Sequence, residues 1–279
     1  MSDQKIRFED GASYERMMGT WSRLAGIDFL HWLAPGLGLR WIDVGCGNGA
    51  FTELLIERCA PSEIYGIDPS EGQLAFARSR PGVQMAKFHQ GDAMALPFPD
   101  KTFDAAVMAL VIFFVPDPAK GVAEMARVVT PGGIVAAYIW DFVSGDTPTG
   151  VIQTEMRAFG LTPPSPPSAD ASRMEALRQL WAGAGLEKIE TRKIEVARTF
   201  GDFEDFWATT LTSPNLGPPI AKLSSPDAER LKVGVQQRVP PDSAGRVTYN
   251  AWRMRSRVGC RIDPRVSRGR LGRGDPNGL

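Results

Sequence analysis

The chain has 279 residues, 43% of them hydrophobic and 23% charged, the balance of one large globular domain or of one domain with a lid. Its 32 basic and 32 acidic side chains cancel, so no global charge points to nucleic acid or to an anionic membrane. Cys46, Cys59 and Cys260 form no C-x-x-C pair, which argues against a disulfide framework or a zinc site and for a reducing cytoplasm.

The N-terminus MSDQKIRFED is polar and reads as no secretory signal, and no apolar run reaches the roughly 20 residues of a membrane helix. Residues 13–33 show helical spacing at Met17, Trp21, Leu24, Phe29 and Leu33, and Gly19 and Gly26 are expected to break them into two short helices. LRWIDVG (39–45) reads as a buried strand and GAFTELLIERC (49–59) as the helix that follows. SEIYGID (62–68) is the next strand, EGQLAFARSR (71–80) the next helix, and VQMAKFHQGD (83–92) a third strand. FDAAVMALVIFF (103–114) reads as a fourth strand and PAKGVAEMARVV (118–129) as a helix. Gly132 and Gly133 then turn the chain into a fifth strand, IVAAYIW (134–140). Such alternation predicts an α/β, doubly wound, mostly parallel sheet. Ligands of these folds lie beyond the carboxyl ends of the strands, where this chain places Asp43, Asp68 and Asp92.

After Trp140 the pattern loosens. A proline-rich connection (161–170) leads to a helix over 171–185 and a long strand over 186–200. Helices at 203–211 and 226–239 read as an insertion covering one end of the sheet, and 245–252 returns to strand character. Glu124 and Arg127, three apart on a helix, read as a structural pair, and His31 and His89 are too far apart in sequence to suggest a metal pair.

GCGNGA (45–50) satisfies the dinucleotide fingerprint G-x-G-x-x-G/A through Gly45, Gly47 and Ala50, with Asp68 near the expected spacing for a ribose-binding acid. The carboxylate of Asp43 weighs against a dinucleotide, because a pyrophosphate at the helix N-terminus is an anion. A ligand carrying an ammonium and a sulfonium is instead attracted there.

WIDVGCGNGAFT, YGIDPSEGQLAFAR, FHQGDAMALPFPDKTFDAAVMAL and DPAKGVAEMARVVTPGGIV together resemble the ordered motifs of the class I S-adenosylmethionine-dependent methyltransferases, in the ubiquinone/menaquinone-biosynthesis-like subgroup. The resemblance is close over 12–140 and loose over 171–252. It implies a seven-stranded Rossmann-like sheet with an N-terminal helical cover and a helical insertion before the last strand. Domain boundaries follow: one domain over 1–255, with a cofactor-binding core at 12–140, a connection and helix at 141–185, and a helical lid at 202–239.

The same resemblance implies roles for individual residues. Gly45, Gly47 and Gly49 let the backbone approach the cofactor, and Asp43 binds its ammonium directly or through water. Asp68 accepts the ribose hydroxyls, Pro69, Ser70 and Gln73 line the adenosine, and Asp92 and the backbone of Ala93 hold the adenine. Ala109 and Leu110 face the sulfonium end, and Tyr14, Met18 and Trp21 match the helix folded over the cofactor. Phe113, Phe114, Phe206 and Trp207 are the candidate acceptor contacts. The expected partner is a small, partly hydrophobic methyl acceptor, with no membrane, nucleic acid or metal. Related enzymes often carry a histidine near the end of the fourth strand; Phe113 and Phe114 stand there, so no catalytic base is assigned. The alternatives are an NAD(P)-dependent oxidoreductase and a non-catalytic S-adenosylmethionine-binding protein.

From 253 to 279 there are eight arginines and two acids. The tail over 256–279 is expected to be disordered, or to be the product of a single-base frameshift near Trp252. Similar methyltransferases end their last strand on a run like A-N-A-V-K-G-R, and the shifted codons of 252–259 can be read as that run.

Overall fold

The computed structural model describes residues 15–163, 165–213 and 216–259, and for residues 16 and 252–259 the backbone alone. A π-helical turn, Glu15–Gly19, runs into helix α1, Thr20–Leu33. The core then alternates β1 (Arg40–Val44), α2 (Ala50–Cys59), β2 (Glu63–Asp68), α3 (Glu71–Ser79), β3 (Ala86–Gln90), β4 (Phe103–Ala109), α4 (Pro118–Val128) and β5 (Val129–Trp140). Helices α5 (Gly150–Ala158) and α6 (Met174–Gly183) lead to β6 (Glu187–Phe200). Helices α7 (Phe203–Leu211), α8 (Gly217–Ala221) and α9 (Ser225–Arg238) precede the last strand, β7 (Val247–Gly259).

These strands form one seven-stranded sheet in the order β3-β2-β1-β4-β5-β7-β6. The first five are parallel, and β7 inserts antiparallel between β5 and β6. Parallel strands are covered on both faces, so they read as unbroken apolar runs; Trp41, Ile42 and Val44 of β1 and Ala105 to Met108 of β4 are fully buried. At the N-terminal end of β1, Arg40 donates from Nε and Nη2 to the two carboxylate oxygens of Asp104 on β4, at 3.0 and 2.8 Å.

Three expectations change. Gly26 does not break the first helix. A Cβ there would lie 2.7 Å from Leu54 Cδ2 and 3.1 Å from Phe51 Cδ2, so the glycine lets α1 lie close against α2. The fourth strand stops at Ala109 rather than Phe114: Leu110 N–H donates to Tyr138 O at 2.8 Å, and Leu110 then turns left-handed, φ 64°. Ile112–Phe114 forms a 3-10 turn instead of strand. Finally, β7 pairs with β5 as far as Ile134↔Gly259, four residues past the expected domain boundary at 255. The remainder of the arginine-rich tail, 260–279, lies outside the described residues.

The helices over 202–239 pack beside β6 and β7. Phe206 is fully buried, with ring centroids 5.2 Å from Phe200 and 5.7 Å from Tyr249. Trp207 stacks on Phe203 at 6.2 Å.

Candidate active site

A cavity of about 1100 Å³ opens at the carboxyl ends of the parallel strands, slightly more than the roughly 300–1,000 Å³ of a pocket for one small ligand. The glycine loop between β1 and α2 forms part of its wall. Gly45, Gly47 and Gly49 all have positive φ, 77°, 51° and 78°, which a side chain strains, yet their surroundings differ. A Cβ at Gly45 would lie 2.4 Å from Val111 Cγ1, and one at Gly49 2.9 Å from Ala77 Cβ. Those two glycines let the loop pack on the β4 turn and on α3. At Gly47 the nearest atom to such a Cβ is Gln73 Oε1, 4.0 Å away, and Gly47 lines the cavity. It is the open stretch of backbone against which a ligand can lie.

Asp68, at the end of β2, stands beside it. Its Oδ2 accepts from Gly47 N–H and its Oδ1 from Ser70 N–H, both at 2.9 Å. Burial raises its pKa and these two backbone donors oppose the rise. An ionised carboxylate offers about four acceptor positions, so two remain for a ligand. The next helix is capped by Ser70, whose Oγ accepts from Gln73 N–H at 3.3 Å. Asp68 is therefore not needed as the cap.

Asp43 stands behind the loop. It is fully buried and is not among the residues lining the cavity. Its Oδ2 accepts from Thr52 Oγ1 at 2.7 Å, and its Oδ1 has no hydrogen-bond partner among the described residues. Burial pushes its pKa up to about 7, the Thr52 hydroxyl opposes this, and the charge of Asp68 adds to it. Asp92 is exposed at the end of β3, lines the cavity, and accepts from Met94 N–H at 2.8 Å. The loop after it is held by the predicted pair: Arg127 donates to both oxygens of Glu124 at 2.7 Å, to Phe98 O at 2.7 Å and to Leu96 O at 3.0 Å. Glu124 in turn accepts from Leu96 N–H at 2.8 Å.

Pro69, Ser70, Gln73, Ala93, Ala109, Leu110 and Phe114 also line the cavity. Gly45 lines it while Gly49 does not. Phe113 lies behind the wall, buried between Phe114 and Phe142 at 4.5 and 4.6 Å. Met18 and Trp21 belong to the core; Trp21 meets Trp140 edge-on at 6.2 Å. The next residue, Ser22, faces the cavity instead, since neighbours on a helix point about 100° apart. Phe206 and Trp207 are absent from the lining, and Tyr14 lies outside the described residues.

Sequence patterns missed Asn48, Phe51, Tyr138, Ser165 and Pro167, all on the cavity wall. Asn48 had a signal, its place between the second and third glycines. Its Nδ2 donates to Glu15 Oε2 at 2.8 Å, tying the N-terminal turn to the loop. Tyr138 reads as core strand, and its ring packs 4.9 Å from Phe29 and 5.4 Å from Phe51. Ser165 and Pro167 belong to an irregular connection with no periodicity to read.

Residues 42–137 match the family described as a methyltransferase domain. Over 96 residues the chain is 42% identical to the demethylmenaquinone methyltransferase of Deinococcus radiodurans, covering 34% of this chain and 40% of that protein. Over 96 residues it is 40% identical to 2-methyl-6-phytyl-1,4-hydroquinone methyltransferase 2 of Oryza sativa, covering 34% of this chain and 28% of that protein. The match thus spans less than half the length of these curated relatives. The YcgJ protein of Bacillus subtilis shares the fold at a TM-score of 0.57 and 16% identity, over 86% of this chain and 99% of that one. The matched segment is the parallel core that builds the cavity, and over that segment the chain is similar to the methyltransferase domain family.

Proposed function

We propose that this protein transfers a methyl group from S-adenosylmethionine to a small, partly hydrophobic acceptor in the same cavity. The observation that carries the reading is one wall: the open backbone of Gly47 with the carboxylate of Asp68 fixed against it. That pair suits a nucleoside whose ribose hydroxyls need acceptors, with Asp92 and Ala93 at the next strand end for the base. Asp43 lies behind this loop, fully buried and off the cavity wall, so its charge acts through the loop and favours a cationic ligand over a pyrophosphate. A positive group nearby returns such a carboxyl to its ionised form.

When bound, S-adenosylmethionine supplies a methyl on a sulfonium that is already a good leaving group. The protein's task is positional. Gly47, Asp68, Asp92 and Ala93 hold the nucleoside, and Ala109 and Leu110 border the methionine end. Val111, Phe114, Val115 and Pro116 line the cavity beyond them, an apolar wall that seats the acceptor and keeps water out. Holding the nucleophile in line at about 3–3.5 Å is catalysis by proximity. Tyr138 brings a phenol to this wall; its hydroxyl donates towards Ser22 O at 3.5 Å, a long bond.

The named relatives act on a demethylmenaquinone and a phytyl hydroquinone. An acceptor with a flat ring and an apolar body fits the wall described here, and we adopt that class. No helix among the described residues is long and apolar enough to cross a membrane. Residence in the cytoplasm belongs to the same proposal, supported by the free buried thiols of Cys46 and Cys59.

The test is a thermal-shift comparison of S-adenosylmethionine, S-adenosylhomocysteine and NAD, followed by a methyl-transfer screen over hydroquinones, phenols and fatty acids. Stabilisation by NAD alone overturns the reading in favour of an oxidoreductase. Tight S-adenosylhomocysteine binding with no acceptor methylated marks a non-catalytic binding protein.

A further inference from the structure

The apolar wall over 111–116 is pinned from two sides. On one side Val111 occupies the space that a side chain at Gly45 would need, so the turn after β4 packs directly on the glycine loop. On the other side Ser168 donates twice: its backbone N–H to Phe113 O at 3.0 Å and its hydroxyl to Val115 O at 2.8 Å. Those two carbonyls flank Phe114, which lines the cavity. The ring of Phe113 is wedged between Phe114 and Phe142, so a pull on its backbone reaches the wall. Ser165 and Pro167, just before Ser168, line the cavity themselves, although Ser168 is 53 residues along the chain from Val115.

We infer that residues 165–168 form a strap that determines which acceptor is admitted, with Ser168 as the positioning residue that holds strap and wall together. The helices expected to do this, over 202–239, contribute nothing to the lining among the described residues. The ligand class follows from the surfaces that face it. Phe114, Val115, Pro116 and Pro167 offer apolar contact to a flat ring, and Ser165, exposed at the rim, offers a hydroxyl to one polar edge group. This rests on the methyltransferase reading only in calling that ligand the acceptor.

Ser168 is half-buried, and Ser168→Ala removes one of its two bonds while the backbone bond remains, so the strap loosens without unfolding the domain. Ser168→Thr keeps the hydroxyl and serves as the rescue. The probe is 1-naphthol, titrated calorimetrically into the protein with and without saturating S-adenosylhomocysteine. Wild type binds it saturably, Ser168→Ala binds about fivefold more weakly, the worth of one net hydrogen bond, and Ser168→Thr stays within about twofold of wild type. S-adenosylhomocysteine affinity stays within about twofold in all three. The inference is overturned if wild type shows no saturable 1-naphthol binding, if Ser168→Ala binds it as tightly, or if cofactor affinity falls by the same factor. Should S-adenosylhomocysteine fail to bind wild type while the 1-naphthol series behaves as stated, the cofactor reading falls and the strap stands.

Discussion

Replacing Asp43 by Asn exchanges a buried acid for a neutral group of the same shape, and the structure sets the size of the effect. The carboxyl pKa is about 7 in the folded protein, raised by burial against an ordinary value of 3.8. A carboxyl raised on folding holds more protons folded than unfolded between those two values, so it costs stability as pH climbs through that window. At about 1.4 kcal/mol per pH unit, the cost is below about 2 kcal/mol at pH 5 and reaches about 4 kcal/mol at pH 8. The Asn side chain can keep the Thr52 bond. Its amide then takes the place of Oδ1, where the acid finds no partner among the described residues, at a cost of about 1–3 kcal/mol. Asp43→Asn is therefore expected to be neutral or slightly destabilising at pH 5 and stabilising by about 1–3 kcal/mol at pH 8, roughly 2–5 °C in Tm for a domain of this size. Cofactor binding moves the other way. Wild-type affinity for S-adenosylhomocysteine, whose amine is cationic, rises from pH 6 to pH 8 as Asp43 ionises, while the variant binds more weakly and without that slope. Differential scanning calorimetry and titration calorimetry across pH 5–8 read both. A variant whose stability relative to wild type does not change with pH would falsify the account of Asp43.

Asp68→Ala removes the acceptor beside Gly47 and should lower S-adenosylhomocysteine affinity at least tenfold, since bonds to a charged group are worth about 1.5–3 kcal/mol each; unchanged affinity by calorimetry removes Asp68 from the site. Gly47→Ala and Gly45→Ala should separate. The first adds a methyl in the cavity and abolishes binding with native circular dichroism, whereas the second meets Val111 at 2.4 Å and lowers Tm first; the reverse order would show the loop roles to be misassigned. Phe206→Ala empties a fully buried site and should cost about 3–5 kcal/mol of stability without altering acceptor selectivity; a selectivity change at full stability returns Phe206 to the acceptor pocket. Truncation after Gly259 should leave S-adenosylhomocysteine affinity unchanged, whereas truncation after Trp252 removes the β7 pairing with Ile134 to Trp140 and should prevent folding. Resequencing the gene across the Trp252 codon tests the frameshift reading directly, and an intact frame removes it.

Local chemistry in the sequence determined the parallel core. Strand runs such as RWIDV and FDAAVMA announce burial because apolar residues dominate them, with charge at Arg40, Asp43 and Asp104 alone, and a glycine-rich break after an acid needs no distant partner to be recognised. Asp68 and Asp92 could be placed at strand ends because each stands where a strand pattern meets a breaker, Pro69 after the one and Gly91 before the other. What the sequence left open depends on which elements meet. All three loop glycines look alike in the chain, yet only the packing of Val111 on Gly45 and of Ala77 on Gly49 leaves Gly47 as the open one. Trp21 and Ser22 are neighbours, and the rotation of α1 against β5 sends the tryptophan to the core and the serine to the cavity. Asp43 reads as a ready charge; its raised pKa exists because folding removes it from water and brings the charge of Asp68 near it. The strap at 165–168 has no periodicity, and its place is fixed by two hydrogen bonds to carbonyls 53 and 55 residues away, groups that every residue carries and no sequence pattern distinguishes.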